Sequence, residues 1–149
     1  MISCIQRVSE ASVKVDGAIV GQIASGLLVL FGVEKNDSDS YIKWMADKTV
    51  NLRIFEDENG KMSRSLIDID GSVLVVSQFT LAGNASKGRR PDFTGAEAPE
   101  RANEFYIKFI DELKSILGDK KVASGIFGAN MEVSLVNDGP VTILVEKRQ

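Results

Sequence analysis

Apolar and polar positions alternate along the first part of the chain, and then the period changes. Ile2 to Val8 has the composition of a strand. Ser12 to Ile23 alternates and breaks at Asp16-Gly17, a pair suited to the positive φ values of a two-residue hairpin turn. Gly26 to Val33, GLLVLFGV, is continuously apolar, which predicts a strand covered on both faces. From Asn36 the period lengthens. Ile42, Met45, Ala46 and Thr49 fall on one helical face, and Asp37 or Ser38 is placed to cap it. The end of this helix stays open, since Leu52, Ile54 and Phe55 also suit the start of a strand. A polar turn around Asn59-Gly60 follows, and Ser72 to Thr80 predicts a further strand. Leu81 to Pro99 is a long loop of glycine and small polar residues, a length that inside compact domains marks functional or mobile segments. Pro99 opens a helix. Ala102, Phe105, Tyr106, Phe109, Ile110, Leu113, Ile116 and Leu117 keep the helical spacing as core positions, and Gly118 ends it. Met131 to Lys147 reads as strand, turn, strand. This order predicts an α+β fold, with two helices packed against a mostly antiparallel sheet or barrel.

Composition narrows the chemistry. The 149 residues suit one compact domain over 1–149, and 44% hydrophobic with 26% charged residues is ordinary for a globular protein. The one cysteine, Cys4, excludes an internal disulfide, suits a reducing cytoplasm and reads as a small core residue. No apolar run approaches the ~20 residues of a membrane span. Arg7 and Glu10 come too early for a signal peptide, so a cytoplasmic protein without membrane attachment is expected. A net charge of −3 argues against broad sheathing of nucleic acid but leaves room for a local basic patch. The chain has no histidine. That removes Ser-His-Asp and Cys-His machinery and most catalytic zinc sites, so no metal and no cofactor is expected. Chemistry must come from carboxylates, amines, backbone dipoles or the substrate.

Four stretches are candidates for it. Ser77, Gln78, Phe79, Thr80 and Leu81 form SQFTL, either a plain strand end or a row of backbone donors able to bind an oxyanion. NDGPVT, Asn137 to Thr142, has the chemistry of a hairpin turn, with a cis Gly139-Pro140 bond as the sharper alternative that local sequence does not decide. Lys87, Arg89 and Arg90 lie in the long loop, either solvated or in contact with phosphate. Gln6 to Val8, QRV, places Arg7 early in the first strand. Glu56, Asp57 and Glu58 read as a solvated loop without the carboxylate spacing of a calcium site.

Taken in order, IQRV, GLLVLFGV, NLRIFEDENGKM, VVSQFTL, KGRRPDF and GIFGANMEVSLVNDGPVT resemble the bacterial-type D-aminoacyl-tRNA deacylases, also called D-tyrosyl-tRNA deacylases, over the full length. The resemblance implies a homodimer with the site at the subunit interface. It implies ester hydrolysis that frees tRNA from D-amino acids, and from glycine on mischarged tRNA. By position, Ser77, Gln78, Phe79 and Thr80 would line the pocket for the terminal adenosine and the ester, with Phe127 and Met131 against the adenosine. Gly139 and Pro140 would reach in from the partner and reject L side chains, held in orientation by Arg7. The resemblance also implies that the 2′-hydroxyl of the terminal adenosine helps activate water while backbone N–H groups near Phe79 and Thr80 hold the oxyanion. The alternatives are Thr80 as a covalent nucleophile, with Lys87 the nearest amine, a non-catalytic dimer binding an RNA end or nucleotide, and a purely structural protein.

Overall fold

The computed structural model describes residues 1–148. Strands β1 (Ile2–Val15) and β2 (Ala18–Ile23) form the expected hairpin. Asp16 at φ 50° and Gly17 at φ 80° give the consecutive positive values of a type I′ turn. β1 runs unbroken where the apolar pattern suggests two pieces. Its register against the last strand shifts between Val8 and Glu10, so a bulge changes which parity points inward. Met1 and Ile5 pack on the helical side, whereas Val8, Ala11 and Val13 join a second apolar cluster.

β3 (Gly26–Gly32) lies antiparallel to β1, β6 (Ser72–Ser77) parallel to β3, and β7 (Val122–Ser124) parallel to β6. A small ribbon of β4 (Phe55–Glu56) and β5 (Met62–Arg64) stands apart. The main sheet runs β2-β1-β3-β6-β7, with β8 (Glu132–Glu146) on the free side of β1. β2 and β7 close in until a Cβ on Gly21 would lie 2.6 Å from the Ser124 carbonyl oxygen, and the sheet is nearly a barrel. Helices α1 (Ser40–Asn51) and α2 (Pro99–Leu117) cover its outer face. Leu27, Val29, Phe31, Val73 and Val75 meet the helices, while Leu28, Leu74 and Val76 fill the interior. Covered on both faces, β3 and β6 read as unbroken apolar runs. Phe31 stacks on Phe109 with centroids 4.3 Å apart.

The buried face of α1 is the predicted one, with Val50 added, but its cap is not. Asp37 is buried and spends one carboxylate oxygen on the N-terminal ammonium at 2.6 Å and the other on the Glu34 N–H at 2.8 Å. Among the described residues, the one main-chain N–H that reaches Ser38 Oγ is that of Ser40, at a long 3.3 Å. The two carboxylates of Glu34 and Asp37 thus tie the chain start to the link between β3 and α1.

Two further expectations are corrected. The strand from Ser72 stops at Ser77 rather than Thr80, and Phe79–Ala82 is a 3-10 turn. Gln78 N–H donates to the Phe31 carbonyl at 2.8 Å and Leu81 N–H to the Gln78 carbonyl at 3.2 Å, curling the chain over the end of β3. Gly32 permits that approach, because a Cβ there would lie 2.9 Å from the Gln78 carbonyl oxygen. Met131 to Lys147 holds no hairpin. Both halves of β8 pair antiparallel with β1, Val133 opposite Val13 and Ile143 opposite Ile5. Between the Gln6–Thr142 and Val8–Asn137 pairs, β1 advances two residues and β8 five. The turn chemistry therefore builds a bulge within one strand. In it the Gly139-Pro140 peptide is cis. Asn137 sews its base, accepting from the Val141 N–H and donating to Thr142 Oγ1, both at 3.1 Å.

Candidate active site

A cavity of about 490 Å³ opens where β3, the turn after β6, α2 and the segment after β7 meet. It gathers Ser77, Gln78 and Phe79 from one side and Phe127 and Met131 from the other, residues distant in sequence. Sequence reasoning missed several of its walls. Pro99 and Ala102 come from the first turn of α2, and Gly32 from β3. Tyr106 was predicted as core and serves two purposes. Its ring is buried against Phe127, centroids 5.9 Å apart, and it also lines the cavity. Its hydroxyl lies 3.0 Å from the Val75 carbonyl oxygen and 3.2 Å from that of Gly125. Gly125 N–H donates to the same Val75 carbonyl at 2.9 Å, so Tyr106 pins the start of the segment that carries Phe127 and Met131. Burial pushes the Tyr106 phenol up to about 12, and it stays protonated. A polar spacing signal for this role was absent, because helical periodicity alone accounts for Tyr106.

Glu97 is the charged side chain of the cavity wall among the described residues. Its carboxylate is engaged, accepting from Arg101 Nη1 at 2.5 Å and from the Ala98 N–H at 2.8 Å. It is poorly placed to act as a free base. The main chain offers donors instead. In the 3-10 turn Leu81 is the first residue whose N–H bonds back, to Gln78, which leaves the Phe79 and Thr80 N–H groups ahead of the ladder without an intrahelical acceptor. Thr80 is exposed and is not among the residues that line the cavity, and its hydroxyl accepts from Gln78 Nε2.

Arg7 is only 6% exposed. Its Nε donates to the Asp138 carbonyl at 2.9 Å and its Nη1 to the Ile54 carbonyl at 2.7 Å. Gly139, at φ 137°, leaves no space for a Cβ, which would lie 3.0 Å from Arg7 Nη2. Gly139 and Pro140 are exposed, and neither they nor Arg7 line the cavity of their own chain. Lys87, Arg89 and Arg90 sit exposed at the tip of the long loop, which is pinched by paired bonds between Asn84 and Asp92 at 2.8 and 2.9 Å. Cys4 is half-buried on β1, and burial raises its thiol, the opposite of what a nucleophile needs. Among the described residues, no three His, Cys, Asp or Glu side chains converge as metal ligands.

The family model described as D-Tyr-tRNA(Tyr) deacylase matches residues 4–146. The chain belongs to this family. Among deacylase relatives, a D-aminoacyl-tRNA deacylase of Kosmotoga olearia is 52% identical over 149 residues, covering 100% of this chain and 99% of the relative. One of Geotalea uraniireducens is 58% identical over 146 residues, covering 98% and 93%. A solved structure described as c-Myc DNA Unwinding Element Binding Protein superposes with a TM-score of 0.95 at 41% identity, over 100% of both chains. A "probable eukaryotic D-amino acid tRNA deacylase" shares the deacylase fold, with a TM-score of 0.84 at 18% identity over 97% of each chain. No helix among the described residues is long and apolar enough to cross a membrane.

Proposed function

We propose that this protein hydrolyses the ester of D-aminoacyl-tRNA, releasing free tRNA and the D-amino acid, and that it treats mischarged glycyl-tRNA in the same way. One observation carries the reading. A cavity with apolar walls at Phe127 and Met131 ends at a turn whose Phe79 and Thr80 N–H groups lead the 3-10 ladder. The flat walls suit the terminal adenosine, and the turn receives the ester. Water adds to the ester carbonyl, the two N–H groups hold the oxyanion, and the bond to the ribose 3′-oxygen breaks. The water proton passes to that 3′-oxygen, with the adenosine 2′-hydroxyl as relay. Such donors are worth roughly 3–4 kcal/mol each in related oxyanion sites. The chain has no histidine, and the one charged wall residue is engaged with Arg101, which supports assigning the proton relay to the substrate.

The chiral filter is assigned to Gly139 and Pro140, held by Arg7. They project from the bulge of β8 and do not line their own cavity, so they act in the cavity of a second copy, and the working unit is a homodimer. Main-chain atoms at the α-carbon test shape and ignore side-chain identity, so many D-amino acids pass and glycine passes with them. Lys87, Arg89 and Arg90 contact RNA phosphates. The setting is the cytoplasm, where tRNA is charged.

The test is parallel release of amino acid from D-tyrosyl-, L-tyrosyl- and glycyl-tRNA by the purified protein. The expected result is rapid loss of the D and glycyl esters with the L ester spared. Survival of all three, with RNA still bound, would leave a binding module and refute the hydrolase. Cleavage of all three would keep the hydrolase and refute the filter.

A further inference from the structure

Phe79 is 59% exposed and Phe93 is 36% exposed. The two rings meet edge to face, centroids 5.3 Å apart at 69°. Phe79 lines the cavity and Phe93 does not, so the pair carries an aromatic surface from the cavity mouth onto the long loop. Main-chain hydrogen bonds on both sides fix the position of Phe93. The Asn84–Asp92 pinch precedes it, the Ala96 N–H donates to its carbonyl at 3.0 Å, and the Asp92 carboxylate accepts from the Thr94 N–H at 2.8 Å. Gly83 lies beneath the ring, where a Cβ would come within 2.8 Å of Phe93 Cε1. Beyond the pinch, Lys87, Arg89 and Arg90 form no ion pair with a carboxylate among the described residues.

The uncovered parts of the two rings form one apolar surface at the edge of the cavity, suited to a flat apolar partner. Cations with no ion pair among the described residues, a few positions earlier in the same loop as Phe93, suit a polyanion. Aromatic faces for bases and cations for phosphates are the two parts of a single-strand nucleic-acid track. Resting on the proposed placement of the terminal adenosine in the cavity, we infer that the Phe79–Phe93 pair is a stacking site for the base of the nucleotide before it. The adjoining phosphates run toward Lys87, Arg89 and Arg90. The site takes any base, since each has a π face, and so it recognises the single-stranded polymer rather than its sequence.

The experiment compares two D-tyrosyl esters, one on adenosine and one on the trinucleotide C-C-A. The readout is the ratio of kcat/KM for the trinucleotide over the adenosine ester. Stacking predicts a wild-type ratio well above one, a loss of roughly 5- to 150-fold in that ratio for Phe93→Leu, and its retention in Phe93→Tyr. A trinucleotide ester whose penultimate nucleotide is abasic loses the same advantage on the wild-type protein, which tests the site without any substitution. An unchanged ratio for both the variant and the abasic ester overturns the inference while leaving the deacylase reading intact. So does an equal loss on both esters in Phe93→Leu, which would make Phe93 a mere support for Phe79. A wild-type protein inert toward both esters overturns the deacylase reading and the stacking site with it.

Discussion

Arg7 and Asp138 are joined by a 2.9 Å hydrogen bond from the guanidinium Nε to the main-chain carbonyl, and the same guanidinium reaches the Ile54 carbonyl at 2.7 Å. One buried cation thus couples β1, the segment before β4 and the bulge of β8. Lysine carries the charge but not the fork. Arg7→Lys is therefore expected to leave at least one of these carbonyls unsatisfied, at about 1–3 kcal/mol. Denaturant midpoints check the stability loss. The ratio of D- to L-tyrosyl-tRNA hydrolysis should fall in the same variant as the bulge loses its anchor. An unchanged ratio in a measurably destabilised protein would separate Arg7 from the filter.

Gly32 is needed for close approach of the turn after β6. A Cβ would lie 2.9 Å from the Gln78 carbonyl oxygen and 3.2 Å from Leu81 Cβ. Gly32→Ala should push this turn away from the cavity, with the fold kept. Displacement near 1 Å at a reacting centre lowers rates by about 100-fold. The expected outcome is a kcat loss of that order with an unaltered circular dichroism spectrum. Full activity would mean that the turn does not position the donors.

Thr80 points its hydroxyl at Gln78 rather than into the cavity. Thr80→Ala should keep kcat within about tenfold of wild type, because its main-chain N–H remains. Removal of a covalent nucleophile costs far more, on the order of 10⁶ in a well-studied protease. A loss of that size in a folded, RNA-binding variant would restore the nucleophile mechanism.

Tyr106 gives a pH signature. Its phenol is pushed up to about 12 in the folded chain against an ordinary value near 10 in the unfolded one. Ionisation therefore favours the unfolded state. The contribution of the neutral phenol is complete below pH 10 and is lost as pH rises through about 12, by about 3 kcal/mol between the limits. Tyr106→Phe should lack this alkaline decline. At neutral pH it should cost about 1–2 kcal/mol, as the Gly125 carbonyl loses its donor. KM should rise as the Phe127–Met131 wall loosens. Urea midpoints of both proteins from pH 8 to 12 measure the difference. Parallel declines would remove Tyr106 as the cause.

Periodicity carried much of the fold. The hairpin at Asp16-Gly17, the buried run of β3 and the face of α2 follow from local rules, because each depends on residues a few positions apart. It failed at three places where distant contacts override local chemistry. Asp37 has the form of a cap and instead meets the N-terminal ammonium. Thr80 continues an apolar strand pattern, yet the Phe31 carbonyl captures the Gln78 N–H and turns the chain. Asn137 to Gly139 has ideal turn residues, yet both flanks find partners along the same strand.

The candidate site divides in the same way. Ser77, Gln78 and Phe79 were legible as a motif and Phe127 and Met131 only through the family resemblance, and all five line one cavity. Tyr106 and Glu97 were not, since a helical aromatic and a loop carboxylate look alike whether or not a cavity lies beside them.

What the sequence determined by itself was the class of elements, the family and the absence of a histidine base, because these reside in residue identity and short spacing. The tertiary structure alone decided which backbone N–H groups lack an intrahelical acceptor, which cation is buried, and that Gly139 and Pro140 do not line the cavity of their own chain. Hydrogen-bond satisfaction is settled only when strands distant in sequence compete for the same donors and acceptors.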